Sequence, residues 1–298
     1  MSSFLTALSG NLARFVYAWL MPSATAVAIF AAFVLPYAPG PVALPKDAAT
    51  LEAALLFILV VLILSLLFAY VSLPIYRFLE GYTMPRWLAR PLRKRRLREW
   101  YRLHQTVERA VRSGAPDWQV SLESLARYPE SPEQVLPTKL GNALRAMEQY
   151  GVTSYGLDSQ TFWYELQSVA GDNLRRDTED ARAGVDFFIS AVVHLALLAV
   201  ASAAVAVASL SLPPAIVALG SLLAIPFAYN QAVGNVGDWR AAVQALVNVG
   251  RTPLSAALGL RMPATFEGER EMWENMVDLV NYGPKRAYLR ALNPNRLR

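Results

Sequence analysis

Cysteine is absent from all 298 residues and histidine occurs only twice, at His104 and His194. The first absence excludes disulfides and thiolate chemistry, and the second leaves too few imidazoles for a Cys/His metal spacing. No run alternates with period two over the length of a strand, so no sheet is expected. A glycine-rich phosphate loop, a Gly-x-Ser-x-Gly elbow and a His-Glu-x-x-His helix are also missing. The most telling lack is of charge. The stretches Phe15 to Pro36, Leu51 to Leu73, Phe187 to Ala208 and Leu212 to Ala228 contain no Lys, Arg, Asp or Glu except Glu52, at the edge of the second. A bilayer-spanning helix needs about 20 apolar residues and excludes charge from its centre. An all-α polytopic membrane protein with four transmembrane helices is therefore expected, with spans near 14–36, 51–73, 185–208 and 212–230.

What is present tells on which side the rest lies. Of the 28 basic residues, 17 fall between Arg77 and Arg182 and nine between Arg240 and Arg298, while Lys46 is the single one in the short loops Tyr37 to Thr50 and Ser209 to Ser211. Positive charge is held back from translocation, so both termini and the long central loop are expected in the cytoplasm. Residues 1–75 and 185–230 then form two transmembrane hairpins. Residues 76–184 form a helical cytoplasmic domain with a basic juxtamembrane segment and a stalk, joined by C-terminal helices over 231–298. The first span is too long for a signal peptide and lacks a basic cluster before it, so it reads as an uncleaved anchor. The pI near 9.5 suits anionic lipid better than nucleic acid, which is not expected as a partner.

Breakers and caps divide the chain further. Trp19, Tyr17 and Tyr37 suit an aromatic belt. Pro36, Pro39, Gly40, Pro41 and Pro45 make a connector, and Pro74, Pro85 and Pro91 are expected to break the chain repeatedly after the second span. A helix is expected from about Arg93 to Ser113 with an apolar stripe of Leu97, Trp100, His104, Val107 and Val111, stopped by Gly114 to Pro116. Further helices are expected from Thr138 to Tyr150, with Gly151 as stop, and through Phe162 to Val169, capped by Asp158 or Ser159. Another, from Asp172 or Asn173, runs without a break into the third span and makes a stalk of about 35 residues, or about 50 Å. Gly234 and Gly237 are expected to interrupt the helix after span four, Thr252 with Pro253 to start a new one, and Thr265 to cap the last, which Gly283 and Pro284 stop.

The candidate residues fall into three groups. His194 within span three, Asp186 at its start and Asn230 at the end of span four are the intramembrane polar candidates for a pore or proton path; the plainer reading of His194 is a neutral ring bonded to a neighbouring helix. The basic run Arg93, Lys94, Arg95, Arg96, Arg98 and Arg102 is the candidate lipid-headgroup site. Thr138, Asn142 and Arg145 offer polar groups around Gly141 and form a candidate recognition surface, with core packing as its alternative. The acidic residues Asp172, Asp177, Glu179, Asp180 and Asp186 alternate with Arg175, Arg176 and Arg182, which reads as ion pairing on an exposed helix. No catalytic, cofactor or metal residue is assigned.

The segment LPTKLGNALR, Leu136 to Arg145, followed by Glu148, Tyr155, Gly156, Leu157, Asp158 and Trp163, resembles a pattern in uncharacterised bacterial membrane proteins. The resemblance covers about 30 residues. It implies an inner-membrane protein and brings no activity, cofactor or functional residue with it. The function expected is a non-enzymatic membrane subunit that presents its cytoplasmic domain to a protein partner. The small residues of span three, Ala199 through Ser209, should let it pack as a homo-oligomer. The rivals are an oligomeric ion channel gated by that domain and a lipid-processing enzyme.

Overall fold

The computed structural model describes residues 12–39, 51–113, 118–284 and 291–296. Among these residues the regular secondary structure is all helical, with one isolated bridge, between Leu260 and Arg296. The connector positions Gly40, Pro41 and Pro45, with Lys46, lie outside the described residues, as do Gly114 to Pro116 and the tail residues Lys285, Arg286, Arg290 and Arg298.

A π-helical turn, Val16–Leu20, leads into α1, Met21–Phe33. There follow α2, Leu51–Tyr70; α3, Ser72–Glu80; α4, Arg86–Ser113; and α5, Trp118–Leu125. Next come α6, Lys139–Glu148; α7, Tyr150–Tyr155; and α8, Trp163–Val169. The long helices α9, Asp172–Ser209, and α10, Leu212–Ala257, precede α11, Phe266–Tyr282. Four helical stretches are long and apolar enough to cross a membrane: Leu12–Tyr37, Leu51–Tyr70, Asp172–Ser209 and Leu212–Ala257. Their surfaces suit lipid, with Leu51, Leu66, Val200, Val207 and Leu223 all exposed. An aqueous solvent would oppose each such side chain by about 1.5–3 kcal/mol relative to burial.

The chain divides into two compact units, the first Met1–Arg77 with Arg182–Asn235, the second Phe78–Ala181 with Val236–Arg298. In the first, Ala18, Trp19 and Phe68 form a buried cluster packed by Phe15, Leu64, Val71, Ile75 and Val193. Trp19 thus lies in the interior of this unit instead of joining an aromatic belt, and Tyr17 stacks on Phe187 with ring centroids 4.9 Å apart. In the second unit, Trp100, Tyr128 and Val135 gather Leu97, Leu103 and Leu125 around them. Phe162, Leu166, Leu246, Leu254, Met272 and Trp273 are also buried there.

Several expected breaks do not occur. Pro91 lies inside α4, where it forfeits a single bond to the carbonyl of Trp87 near the helix start. The interruption falls instead between Glu80 and Arg86, so the helix begins seven residues before Arg93. Gly234 and Gly237 sit inside an unbroken α10, as does Pro253, four residues before its C-terminal residue Ala257. Glycine lowers helix propensity by only about 1 kcal/mol, which packing overrides. Gly151 lies within α7, and the stop is Gly156, at φ +77°, where a Cβ would also approach the carbonyl of Arg270 to 2.7 Å. The stalk segment is one helix of 38 residues, about 57 Å long. Thr265 caps α11 through Gly268 N at 3.1 Å, and Gly283 ends it.

Candidate functional site

The polar residues of the first unit close on one another in pairs. His194, on α9, has its Nδ1 2.8 Å from the Ser190 carbonyl, one turn back. Its Nε2 lies 2.9 Å from Ser23 Oγ, on α1. A neutral ring satisfies both contacts: Nδ1–H donates to the carbonyl, and Nε2 accepts from the serine hydroxyl. Phe68 presses edge-on against the imidazole at 4.7 Å, and His194 and Ser23 are buried. Asp186 is held separately, accepting from the Tyr76 hydroxyl at 2.5 Å with Arg182 3.8 Å away. Asn230 lies on the exposed surface of α10. Among the described residues no hydrogen bond joins any two of these three candidates.

The basic run splits between two faces of α4. Arg93 donates to the carbonyls of Val135 and Glu133, at 2.8 and 2.7 Å, and so pins the loop before α6. Arg96 is buried and pairs with Glu99 at 2.5 Å. It also lies beside Tyr128, whose hydroxyl is pushed up to about 12, chiefly by burial. Both guanidinium groups are thus engaged within the protein, although Arg93 remains exposed, as are Lys94, Arg95, Arg98 and Arg102.

The LPTKLGNALR segment forms the start of α6. Thr138 caps it, its Oγ1 accepting from Gly141 N at 2.9 Å while its hydroxyl lies 3.0 Å from the carbonyl of Glu80. Gly141 packs against that same carbonyl, where a Cβ would collide. Asn142 is buried, its amide nitrogen donating to the carbonyls of Leu136 and Thr138 at 2.9 and 2.7 Å and its oxygen accepting from Leu136 N at 2.8 Å. Asn142 is therefore withdrawn from any recognition surface, because its hydrogen-bonding capacity is spent on folding the segment.

Arg145 is different. It opens onto a cleft of about 530 Å³ bordered by Glu130, Gln134, Glu148, Gln149, Thr153 and Asp158, all in the second unit. Glu148 lies 3.3 Å from Arg145. Its carboxyl is raised above the ordinary value because burial disfavours its charge; Asp158 adds to that, and Arg145 opposes it. Asp158 is oriented by Gln160 N and Thr161 Oγ1, at 2.9 and 2.8 Å. The cleft thus brings one guanidinium, paired with Glu148, into the same lining as the carboxylates of Glu130 and Asp158, an arrangement suited to polar recognition. Sequence spacing did not reveal this border: Glu130 and Asp158 lie 28 residues apart, and a single sequence carries no signal for such a pairing.

A second network went unforeseen. Arg251, on α10, points one guanidinium nitrogen at both oxygens of the buried Glu269 on α11, at 2.6 and 2.5 Å. The same guanidinium lies 4.4 Å from the ring centroid of Tyr155. The hydroxyls of Tyr150 and Tyr155 both donate to Asn248 Oδ1, at 2.8 and 2.9 Å. This links α7, α10 and α11.

No protein-family model matches the chain, and no curated protein or solved structure matches it either.

Proposed function

We propose that the protein is a non-enzymatic integral subunit of a bacterial plasma membrane, with both termini and the second unit in the cytoplasm. It presents the cleft around Arg145 to a protein partner and works as a homo-oligomer. The observation that carries this reading is the cleft itself: an open, charged concavity on a unit that holds its own buried core. The distribution of Lys and Arg supports the sidedness. On α9, Ala199 and Ser202 are already buried within the chain, whereas Ala203, Ala204 and Ala208 remain exposed; that outward row supports helix-to-helix assembly between copies. The closed hydrogen bonding of His194 supports a packing role for that residue over a conducting one.

The test places a photo-crosslinking amino acid at Gln160 of the full-length chain in its native membrane. A discrete adduct with another protein, lost on Arg145→Glu, is the expected result, together with a defined multimer in detergent. A monomer with no adduct overturns the proposal. Conductance in liposomes is a separate reading, and a current that vanished on His194→Ala would replace the subunit with a pore.

A further inference from the structure

We propose that the outer face of α4, formed by Arg90, Lys94, Arg98 and Arg102 with Trp87 among them, docks onto the anionic headgroups of the bilayer. These cations differ from the full basic run: the fold engages Arg93 and Arg96 elsewhere, Arg95 falls outside the arc, and Arg90 is added. Arg93 and Arg96 turn toward the Glu133–Val135 loop and toward Glu99, where their charges are already engaged. The four outer cations follow one another at intervals of four and are all exposed. At about 100° per residue they occupy an arc of about 120°, and Trp87 falls inside that arc.

The face is unneutralised from within its own helix. The two carboxylates of α4 are occupied, Glu99 with Arg96 and Glu108 opposite His104 at 3.6 Å. Among the described residues no ion pair reaches Arg90, Lys94, Arg98 or Arg102. Trp87 is 77% exposed, and Tyr101, on the same side, is 48% exposed. Aromatic rings with a polar edge are disfavoured in water at such exposure and favoured at the headgroup level of a membrane. A row of cations beside them adds attraction to anionic lipid over a distance of about 8 Å at physiological ionic strength.

Chain length selects lipid over nucleic acid as the occupant. Trp87 follows the end of α2, Tyr70, by 17 residues, nine of them in α3. That tether reaches no more than about 45 Å. If α2 spans a bilayer, the headgroups are held near this face permanently, which raises their effective concentration without any further contact. The inference rests on that reading of α2.

The absence of cysteine makes the test clean. Gln105→Cys, on the same face just beyond Arg102, carries an environment-sensitive fluorophore in the full chain, and Tyr164→Cys, exposed on α8, carries it as a reference. The protein is reconstituted in nanodiscs of phosphatidylcholine alone and of phosphatidylcholine with phosphatidylglycerol. The position 105 probe is expected to shift to the blue and to be quenched by a headgroup-borne quencher only in the anionic discs, while position 164 stays water-like. The shift is lost in the combined Arg90→Gln, Lys94→Gln, Arg98→Gln and Arg102→Gln variant. It is also lost at high salt in the parent background, which needs no neutralised variant to fold. Equal spectra in both discs overturn the proposal, as does a shift that survives both neutralisation and salt. A response to an oligonucleotide in neutral discs, without one to anionic lipid, overturns it in favour of nucleic acid. Alkaline carbonate extraction of the same protein reads the spans alone: release from the lipid means that the reading of α2 has failed, whereas retention with no shift means that the docking face has.

Discussion

The two units hold their polar side chains in different proportions of local and long-range contact. In the first, the hydroxyls of Thr25 and Ser65 turn back on their own helices, onto Met21 at 2.9 Å and Val61 at 2.6 Å, while Ser23 with His194 and Tyr76 with Asp186 cross between helices. In the second, polar groups reach far along the chain: Arg93 to Val135, Tyr150 to Asn248 and Arg251 to Glu269. Apolar residues show the converse. Leu66 is exposed in the first unit, while Leu254 and Trp273 in the second are buried. The contrast is the one that hydrocarbon around the first unit and water around the second would produce. Hydrocarbon offers no hydrogen bonds, so a polar group there is satisfied within the protein, by its own helix or by a neighbouring one, and an outward leucine costs nothing. Water competes for every polar group and drives apolar ones inward.

The comparison is most severely tested at Arg251 and Glu269. Removing the arginine strands the buried carboxylate, so Arg251→Ala should destabilise the second unit by about 3–5 kcal/mol. The opening is read as faster thiol labelling of a cysteine introduced at the buried Ala143. Joint replacement by Met and Leu should recover most of the loss, because the penalty lies in the unpaired ion.

Leucine truncation comes next. Leu254→Ala should cost about 2–5 kcal/mol by the same labelling readout, since that side chain is fully enclosed. Leu66→Ala should leave thermal unfolding in lipid nearly unchanged; comparable losses at both positions would erase the distinction between the units.

His194→Ala is expected to cost about 1–3 kcal/mol of thermal stability in detergent, because Ser23 loses its partner across helices and a void opens beside Phe68. Asn230→Ala, at an exposed position, should cost far less. Equal effects would mean that the imidazole contributes nothing to packing.

The smallest effect is a slope against pH. The folded state raises the carboxyl of Glu148, so it binds that proton more tightly than the unfolded chain does. This contribution is therefore complete below the ordinary value of 4.5 and fades as pH rises through the higher folded value. Glu148→Gln should flatten the slope of stability in the mildly acidic range just above 4.5 and leave the second unit relatively more stable at neutral pH. An unchanged slope would assign the pH dependence to other groups.

Legibility differed between features in ways that follow from range. The helix starts at Thr138 and Thr265 were readable because each side chain acts on a backbone N–H three residues away. The helix is interrupted near Pro74 and Pro85 as expected, whereas the breaks read at Pro91, Gly234, Gly237 and Pro253 do not occur. Pro91, Pro253, Gly234 and Gly237 weaken a helix locally, but the turns on either side continue, and packing outweighs a loss of one hydrogen bond or about 1 kcal/mol. The basic run was visible as composition, yet nothing in it distinguished Arg93 and Arg96 from Arg90 and Arg98.

Chain order alone determined the helical class, the four uncharged lengths and the asymmetry of basic residues, because each is a local property or a sum over neighbours. Only the tertiary structure decided that Asn142 is interior, that Ser23 meets His194, that Arg251 meets Glu269, and that Glu130, Arg145, Glu148 and Asp158 border one cleft. Those meetings join residues separated by up to 171 positions. They depend on how whole helices pack, and that is settled by buried area and shape summed over the unit, which no local pattern encodes.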